Sequence, residues 1–501
     1  MKRTTKRILT LAFFCVLAWA SAAVAGEKKA LLIMLDGLRA DALYSAETPN
    51  IDSLRDGTWA KGYHGTWTYQ AHTNLDAPPS SATNHTAIAT GVTATKNNVF
   101  QNGQFKQGHY DQYPTWLQRL RKSKPHIVSA WLHNWGDDTD LPTDADYVMA
   151  KPNGFDGDME LVEQAKQILA GTFPDTEGLR GTKWSHDKDI DALMLYLDSL
   201  DMFGHGHGFS VQVDAYYEKV PTYDQKVGEL IQAIKSRPNF AKEDWMIVVV
   251  ADHGGTGKTH GIVGCKNCYT IPLIVTSKHV KSGQMAGQPI NCAVAAYLMK
   301  HFTGSVPKDF DGKIAPIHKT PPAKLDAGKL GEGDLAKLKK KPAKDFSFVI
   351  WFRANKDQNG DPALVSNKDW KNGQNPGFCL AANVSDKNGC NAWLNFGDGK
   401  GRDDFKPLEY KPNEWTFFGV SVEKKGNAVL FVGGQNGRLS FISDSVANLG
   451  SFATDYDWHI GQDGTGNYQH SLDGETKGFT FWPAALSIDQ MNQLYKEGLG
   501  K

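Results

Sequence analysis

The chain reads as an α/β domain, with a mostly parallel sheet sandwiched by helices, followed by an all-β sandwich. Three observations predict this. Short runs that are apolar almost throughout alternate with amphipathic helical patterns from Glu27 to about residue 315, the signature of strands buried on both faces. Residues 316–345 then change to Pro, Gly and Lys with few core residues, which is linker composition. Beyond them the hydrophobic period becomes two, and Gly-Asp, Asn-Gly and Gly-Gly turns punctuate the sequence, as in a β-sandwich.

The elements follow in order. Met1-Lys-Arg-Thr-Thr-Lys-Arg7 is basic, Ile8 to Ala20 is apolar but too short to span a bilayer, and Ala23-Val24-Ala25 supplies small residues before Gly26. Residues 1–25 are therefore expected to be a secretory signal peptide, and the protein to be periplasmic or secreted without a membrane span. Residues 26–315 form the first domain, with strands expected at 30–35, 126–132, 190–197, 245–251 and 271–276. Helices are expected over Pro114–Lys122, Glu160–Ala170, Tyr223–Ser236 and Asn291–Phe302. Residues 316–345 are the linker, a flexible tether, and residues 346–501 the sandwich. In the latter, Phe346, Phe348, Ile350 and Phe352 share one strand face, and Thr416–Val422 is a second such run.

Charge excludes some partners. There are 55 basic and 55 acidic residues, and Lys2, Arg3, Lys6 and Arg7 lie in the leader, so the remainder carries four excess acidic charges. Neither nucleic acid nor an anionic membrane is an expected partner. Five cysteines follow the leader: Cys265, Cys268, Cys292, Cys379 and Cys390. In an oxidising compartment they suggest disulfides, with Cys379–Cys390 a pair. Cys265-Lys-Asn-Cys268 alone is a weak signal for a zinc or redox site.

The chemistry sits where strands hand over to loops. Asp36 follows Ala30–Leu35; Asp201 and His205 follow Ile190–Leu197; Asp252 and His253 follow Trp245–Ala251; Ser81 and His260 lie in loops. Carboxylates and imidazoles at the carboxyl ends of parallel strands are where an open α/β sheet builds its site. Seven oxygen and nitrogen donors suit two divalent cations, zinc above others, and paired metals serve in-line displacement at phosphorus or sulfur. A hydrolase is the expected class.

These residues also fall into ordered motifs. Leu35-Asp36-Gly37 comes first, then Ser81-Ala-Thr-Asn84-His85 with Thr90-Gly91, and Asn102 lies 21 residues after Ser81. Asp201-Met-Phe-Gly-His205, Asp252-His253-Gly254 and His260-Gly261 complete the set. In this order and spacing they resemble the alkaline phosphatase superfamily, most closely its nucleotide pyrophosphatase/phosphodiesterase branch, over roughly residues 28 to 305. The resemblance implies one metal held by Asp201, His205 and His260, and another by Asp36, Asp252, His253 and Ser81. It makes Ser81 the nucleophile of a phosphoseryl mechanism and Asn102 a donor to a non-bridging oxygen of a small phosphate-ester substrate. Two departures stand out. Only six residues separate His253 from His260, where the branch usually carries a sizeable insertion, and the nucleophile is Ser rather than Thr. The sulfatase pattern is absent.

Phosphodiester bonds are the favoured substrate. The alternatives are an alkaline phosphatase-type phosphomonoesterase and a surface or glycan-binding adhesion protein with an inactive hydrolase domain. Ser80 and Thr83 compete with Ser81, and His207 with His205, with the spacing favouring Ser81 and His205. His85 is expected to be a packed histidine, and His133 and the Asp137–Asp140 run to lie at the surface. The C-terminal segments Phe348–Arg353, Leu364–Trp370, Asn375–Phe378, Ile460–Gly464 and Ala485–Tyr495 resemble a laminin-G-like jelly roll. Members often bind calcium and glycans, which makes Asp369, Asp398 and Asp403 calcium candidates and a glycan or cell-surface ligand an expectation.

Overall fold

The computed structural model describes residues 26–318, 345–355, 360–385 and 389–500. Residues 1–25, the expected leader, and residues 319–344 of the expected linker lie outside them. The first domain is built on eight strands: β1 (Glu27–Leu35), β2 (His64–His72), β3 (Ser129–His133), β4 (Tyr147–Ala150), β5 (Ala192–Leu197), β6 (Glu243–Val250), β7 (Thr270–Ser277) and β8 (Gly283–Gln284). Their order is β8-β2-β7-β6-β1-β5-β3-β4. All neighbours pair in parallel except at β7, which runs against both β2 and β6. β1, β5, β6 and β7 are buried along nearly their whole lengths because helices cover both faces, and such burial is why they read as unbroken apolar runs.

The fold class is as the sequence predicts, and so is the order of the five expected strands. β2, His-Gly-Thr-Trp-Thr-Tyr-Gln-Ala-His, has no expected counterpart. Its Thr66, Thr68 and His72 are buried although polar, so it lacks an apolar signature. The helix Ser81–Thr90 is another omission. All ten of its residues are buried, which removes the one-sided periodicity that marks a surface helix. Residues 316–318 still pair with the first domain: Ile317 bridges Met285, and the His318 N–H donates to Gln284 O at 2.8 Å.

The sandwich has two five-stranded sheets. One is ordered Leu439–Ser445, Asn427–Gly433, Thr416–Val422, Phe346–Ala354, Gly474–Trp482. The other is ordered Arg402–Tyr410, Gly389–Gly397, Gly377–Ser385, Ala363–Ser366, His459–Ile460. All pairings within both sheets are antiparallel. Phe346, Phe348, Ile350 and Phe352 point into the core between the sheets, whereas Val349 and Trp351 face outward and join the apolar cluster of the first domain, with Phe417, Phe431 and Phe441.

Sandwich and first domain therefore share a packed interface. Tyr44 meets Phe441 edge-on with ring centroids 5.7 Å apart, and the Ser45 hydroxyl donates to Leu439 O at 2.8 Å. Lys266 pairs with Asp403 and Asp444 of the sandwich. An apolar face closed by polar bonds at its rim is a fixed interface, not a tethered one.

Two expectations about the sandwich need correction. Cys379 and Cys390 are not bonded. They lie on neighbouring strands, but Cys379 pairs with Asn395 and Cys390 with Val384. That odd offset sends the two thiols to opposite faces of the sheet, Cys390 into the core between the sheets and Cys379 against Trp370 and Tyr468. Nor do Asp369, Asp398 and Asp403 converge. Asp398 closes a turn by accepting the N–H groups of Lys400, Gly401 and Gly450. Asp369 accepts from Lys371 N–H, and Asp403 pairs with Lys266.

Candidate active site

Register brings the site together. Leu35 lies beside Leu197 in β5, and Met34 beside Val250 in β6. Asp36, the turn at Asp198 and Asp252 therefore leave the sheet side by side at its carboxyl edge. Gly37 explains the first Asp-Gly: its φ is +67°, and a Cβ there would lie 2.8 Å from the Asp201 Cα. Gly254 explains the second glycine, since a Cβ would lie 2.1 Å from Asn267 O. Only the smallest residue lets these two turns pack against their neighbours.

Asp201 and His205 are not on a loop but on the helix Ser199–His207, one turn apart on the same face. His205 Nε2 lies 3.3 Å from Asp201 Oδ2, and His260 Nε2 lies 3.6 Å from Asp201 Oδ1. Each imidazole is aimed by a backbone carbonyl at its other nitrogen, Lys258 O for His205 and Pro79 O for His260. His207 is exposed and turned toward Phe203. On the other side, His253 Nε2 lies 3.2 Å from Asp36 Oδ1, 3.3 Å from Asp252 Oδ2 and 3.2 Å from Ser81 Oγ. The His253 and His260 rings stack with centroids 3.8 Å apart, joining the two halves.

Ser81 is the first residue of its helix, with Ser80 in the N-cap position. The Ser80 and Thr83 hydroxyls bond each other at 2.9 Å, which leaves Ser81 as the one of the three that meets His253. Asn102 lines the same cleft of about 140 Å³. Its Oδ1 accepts the Ala82 N–H at 3.0 Å, so its amide NH₂ remains to donate.

The electrostatics ask for a cation. Burial, reinforced by the Asp252 and Asp201 carboxylates, pushes Asp36 well above the usual carboxylate range. Burial alone would raise Asp252 too, but His253 and His85 hold it below that range. Asp36 Oδ1, Asp252 Oδ2 and Asp201 Oδ1 are buried and accept no hydrogen bond, a costly arrangement unless a positive ion completes it. Asp201, His253 and His260 each offer a donor atom within 4.8 Å of the others, as do Asp36, His85 and Asp252. This oxygen and nitrogen donor set fits divalent metal.

The structure adds residues the sequence reading left out. The Tyr196 hydroxyl donates to Asp36. His85, expected only to pack, bridges Asp138 and Asp252: its Nδ1 lies 2.8 Å from Asp138 Oδ1 and its Nε2 3.3 Å from Asp252 Oδ2. Asp138 and His133, expected at the surface, are fully buried. Asp138 goes inside because His85 partners it, and the Asp-rich run gave no sign of that. Asp198, beside the cleft, accepts from Asn134 Nδ2 at 2.8 Å and Gly154 N at 3.1 Å. Burial and the neighbouring Asp158 raise it to about 7.

Residues 30–266 match the model of the type I phosphodiesterase / nucleotide pyrophosphatase family. An uncharacterized pyrophosphatase/phosphodiesterase of Schizosaccharomyces pombe is 27% identical over 248 residues, 46% of this chain and 45% of that protein. Mouse ectonucleotide pyrophosphatase/phosphodiesterase family member 7 is 22% identical over 254 residues, 47% of this chain and 52% of that one. The chain thus spans about half the length of the curated relatives it matches. Among solved structures, murine ectonucleotide pyrophosphatase/phosphodiesterase 5 aligns at 13% identity with a TM-score of 0.41, over 57% of this chain and 98% of that one. The matched region ends within the turn that carries Cys265 and Cys268, and the sandwich lies outside it.

Proposed function

We propose that the protein is an exported, metal-dependent phosphoric ester hydrolase that cleaves phosphodiesters through a phosphoseryl intermediate on Ser81. One observation carries the reading: the Ser81 hydroxyl starts a buried ten-residue helix and meets His253 within a cluster of unsatisfied carboxylates. Asp201, His205 and His260 would hold one divalent cation and Asp36, Asp252, His253 and Ser81 the other, with zinc favoured by the mixed donors. Bound there, such ions supply charge neutralisation for an alkoxide and for the leaving oxygen.

This chain's own residues would do the rest. Ser81 Oγ attacks phosphorus in line as its proton is lost to solvent, and the bond to the leaving alcohol breaks. The helix start faces the transferred group with its electropositive end, and the Asn102 NH₂ donates to a non-bridging oxygen. Water then attacks phosphorus from the vacated side, breaking the P–Oγ bond and returning the proton to Ser81.

Preference for diesters rests on the walls of the cleft. No Lys or Arg is among its described lining residues, which instead include Trp135 and Met202. The nearby Lys258 ammonium is engaged by Gly206 O at 2.8 Å. A monoester's second negative charge would find no dedicated cation. Metal analysis combined with rates on p-nitrophenyl mono- and diesters tests this. Two equivalents of zinc and faster diester turnover are expected; a monoester preference would move the assignment to a phosphatase, and no turnover at all would favour the adhesion reading.

A further inference from the structure

We infer that Cys265 and Cys268 form a disulfide in the exported protein, and that this bridge braces the loop carrying Asp252 and His253 against the sandwich. The two sulfurs lie 2.9 Å apart, inside van der Waals contact. Cys268 N–H donates to Cys265 O at 3.0 Å, and such a turn keeps the two Cα atoms under about 7 Å apart, within the reach of a disulfide. Cys268 is fully buried and Cys265 is 7% exposed, so Cys265 is the sulfur an oxidant can reach. The Cys268 S–H directed at it holds the Cys265 thiol below its usual range, favouring the reactive thiolate.

The position of the pair gives the bridge its consequence. Cys268 O accepts the Gly254 N–H at 3.0 Å, directly after His253, and Gly254 packs on Asn267 O too closely for any side chain. Asn267 Oδ1 lies 3.5 Å from Arg39, whose guanidinium also donates to Gly255 O at 3.2 Å and Phe209 O at 2.7 Å. Between the cysteines, Lys266 pairs with Asp403 and Asp444 of the sandwich. One short turn thus touches the His253 loop on one side and the second domain on the other. A bridge closing so few residues constrains the unfolded chain little, so its effect falls on this turn rather than on global stability.

The step balances as thiol–disulfide exchange with an oxidised disulfide as partner. The Cys265 thiolate attacks that disulfide and expels one thiol. The Cys268 sulfur then attacks Cys265, forming the intramolecular bond and releasing the second thiol. Two protons and two electrons leave the pair for the oxidant.

Sequence supplies a direct test, because Lys266 separates the cysteines. The full chain is produced by export, its free thiols are blocked with N-ethylmaleimide during denaturation, and it is digested with trypsin. Peptides 259–266 and 267–278 are expected as one linked species that separates on reduction; recovery of both carrying maleimide overturns the bridge. For the bracing role, zinc loss to a chelator is timed before and after reduction with a phosphine. About tenfold faster loss is expected, on the scale of perturbed residues behind metal ligands. An unchanged rate, with the linked peptides present, overturns the bracing role alone.

Discussion

At Ser81 the local geometry separates three hydroxyls that are close in sequence. Ser80 and Thr83 satisfy each other, so of the three only the Ser81 hydroxyl turns to His253 and the cluster. Ser81→Ala is expected to cut turnover by at least ~10³-fold, with Ser80→Ala and Thr83→Ala much milder; equal losses for all three in steady-state assays would remove the distinction. Asn102→Ala is expected to lower kcat and kcat/KM together by about 100-fold, as for a donor whose bond strengthens in the transition state. A change confined to KM would make it a ground-state contact. The seven expected donor residues were named from their types and spacing, and the fold brings them into one cluster. Tyr196 and Asp138 were not, since a tyrosine ending an apolar strand and an aspartate in an acidic run look like core and surface until the fold supplies partners.

At the scale of elements, the site depends on parallel strands ending level and on two helices starting there. The sequence showed strands buried on both faces, and it hid the Ser81–Thr90 helix because burial on every side erases periodicity. That helix also carries His85, whose contacts with Asp138 and Asp252 orient the Asp252 carboxylate. His85→Ala should weaken zinc binding by about 10- to 100-fold while the fold persists. Titration against a competing chelator, with circular dichroism as the control, measures it; wild-type affinity would show that the bridge only packs.

For the whole molecule, the sandwich is a structural partner of the first domain. Removing residues 319–501 would uncover the first-domain surface now packed on the strand Leu439–Ser445, where Tyr44 meets Phe441. Residues 26–318 alone should show a clearly lower Tm and a tendency to aggregate, whereas an unchanged Tm would make the interface incidental. His72 sits at this junction, its Nε2 3.4 Å from Ser443 O, and burial lowers it from 6.5 to about 4. The fold therefore prefers neutral His72. Its contribution is intact above pH 6.5 and is lost as pH falls from there toward 4, on the order of 3 kcal/mol at most. His72→Gln should flatten that part of the Tm–pH profile, and an unaltered profile would show that other groups set it. The composition of residues 316–345 suggested a division into domains there, yet composition cannot tell a tether from a docked partner. That distinction lay in outward residues such as Leu439 and Phe441, whose faces only the fold defines.

The phosphoseryl route can be read from a single trapped species. The zinc-loaded protein is mixed with a p-nitrophenyl diester, quenched in acid during turnover, and digested for phosphopeptide mapping. The account predicts the substrate's phosphoryl group esterified to Ser81, and none on the Ser81→Ala variant. Phosphate recovered on Thr83 or Ser80, or full turnover by Ser81→Ala, would contradict it.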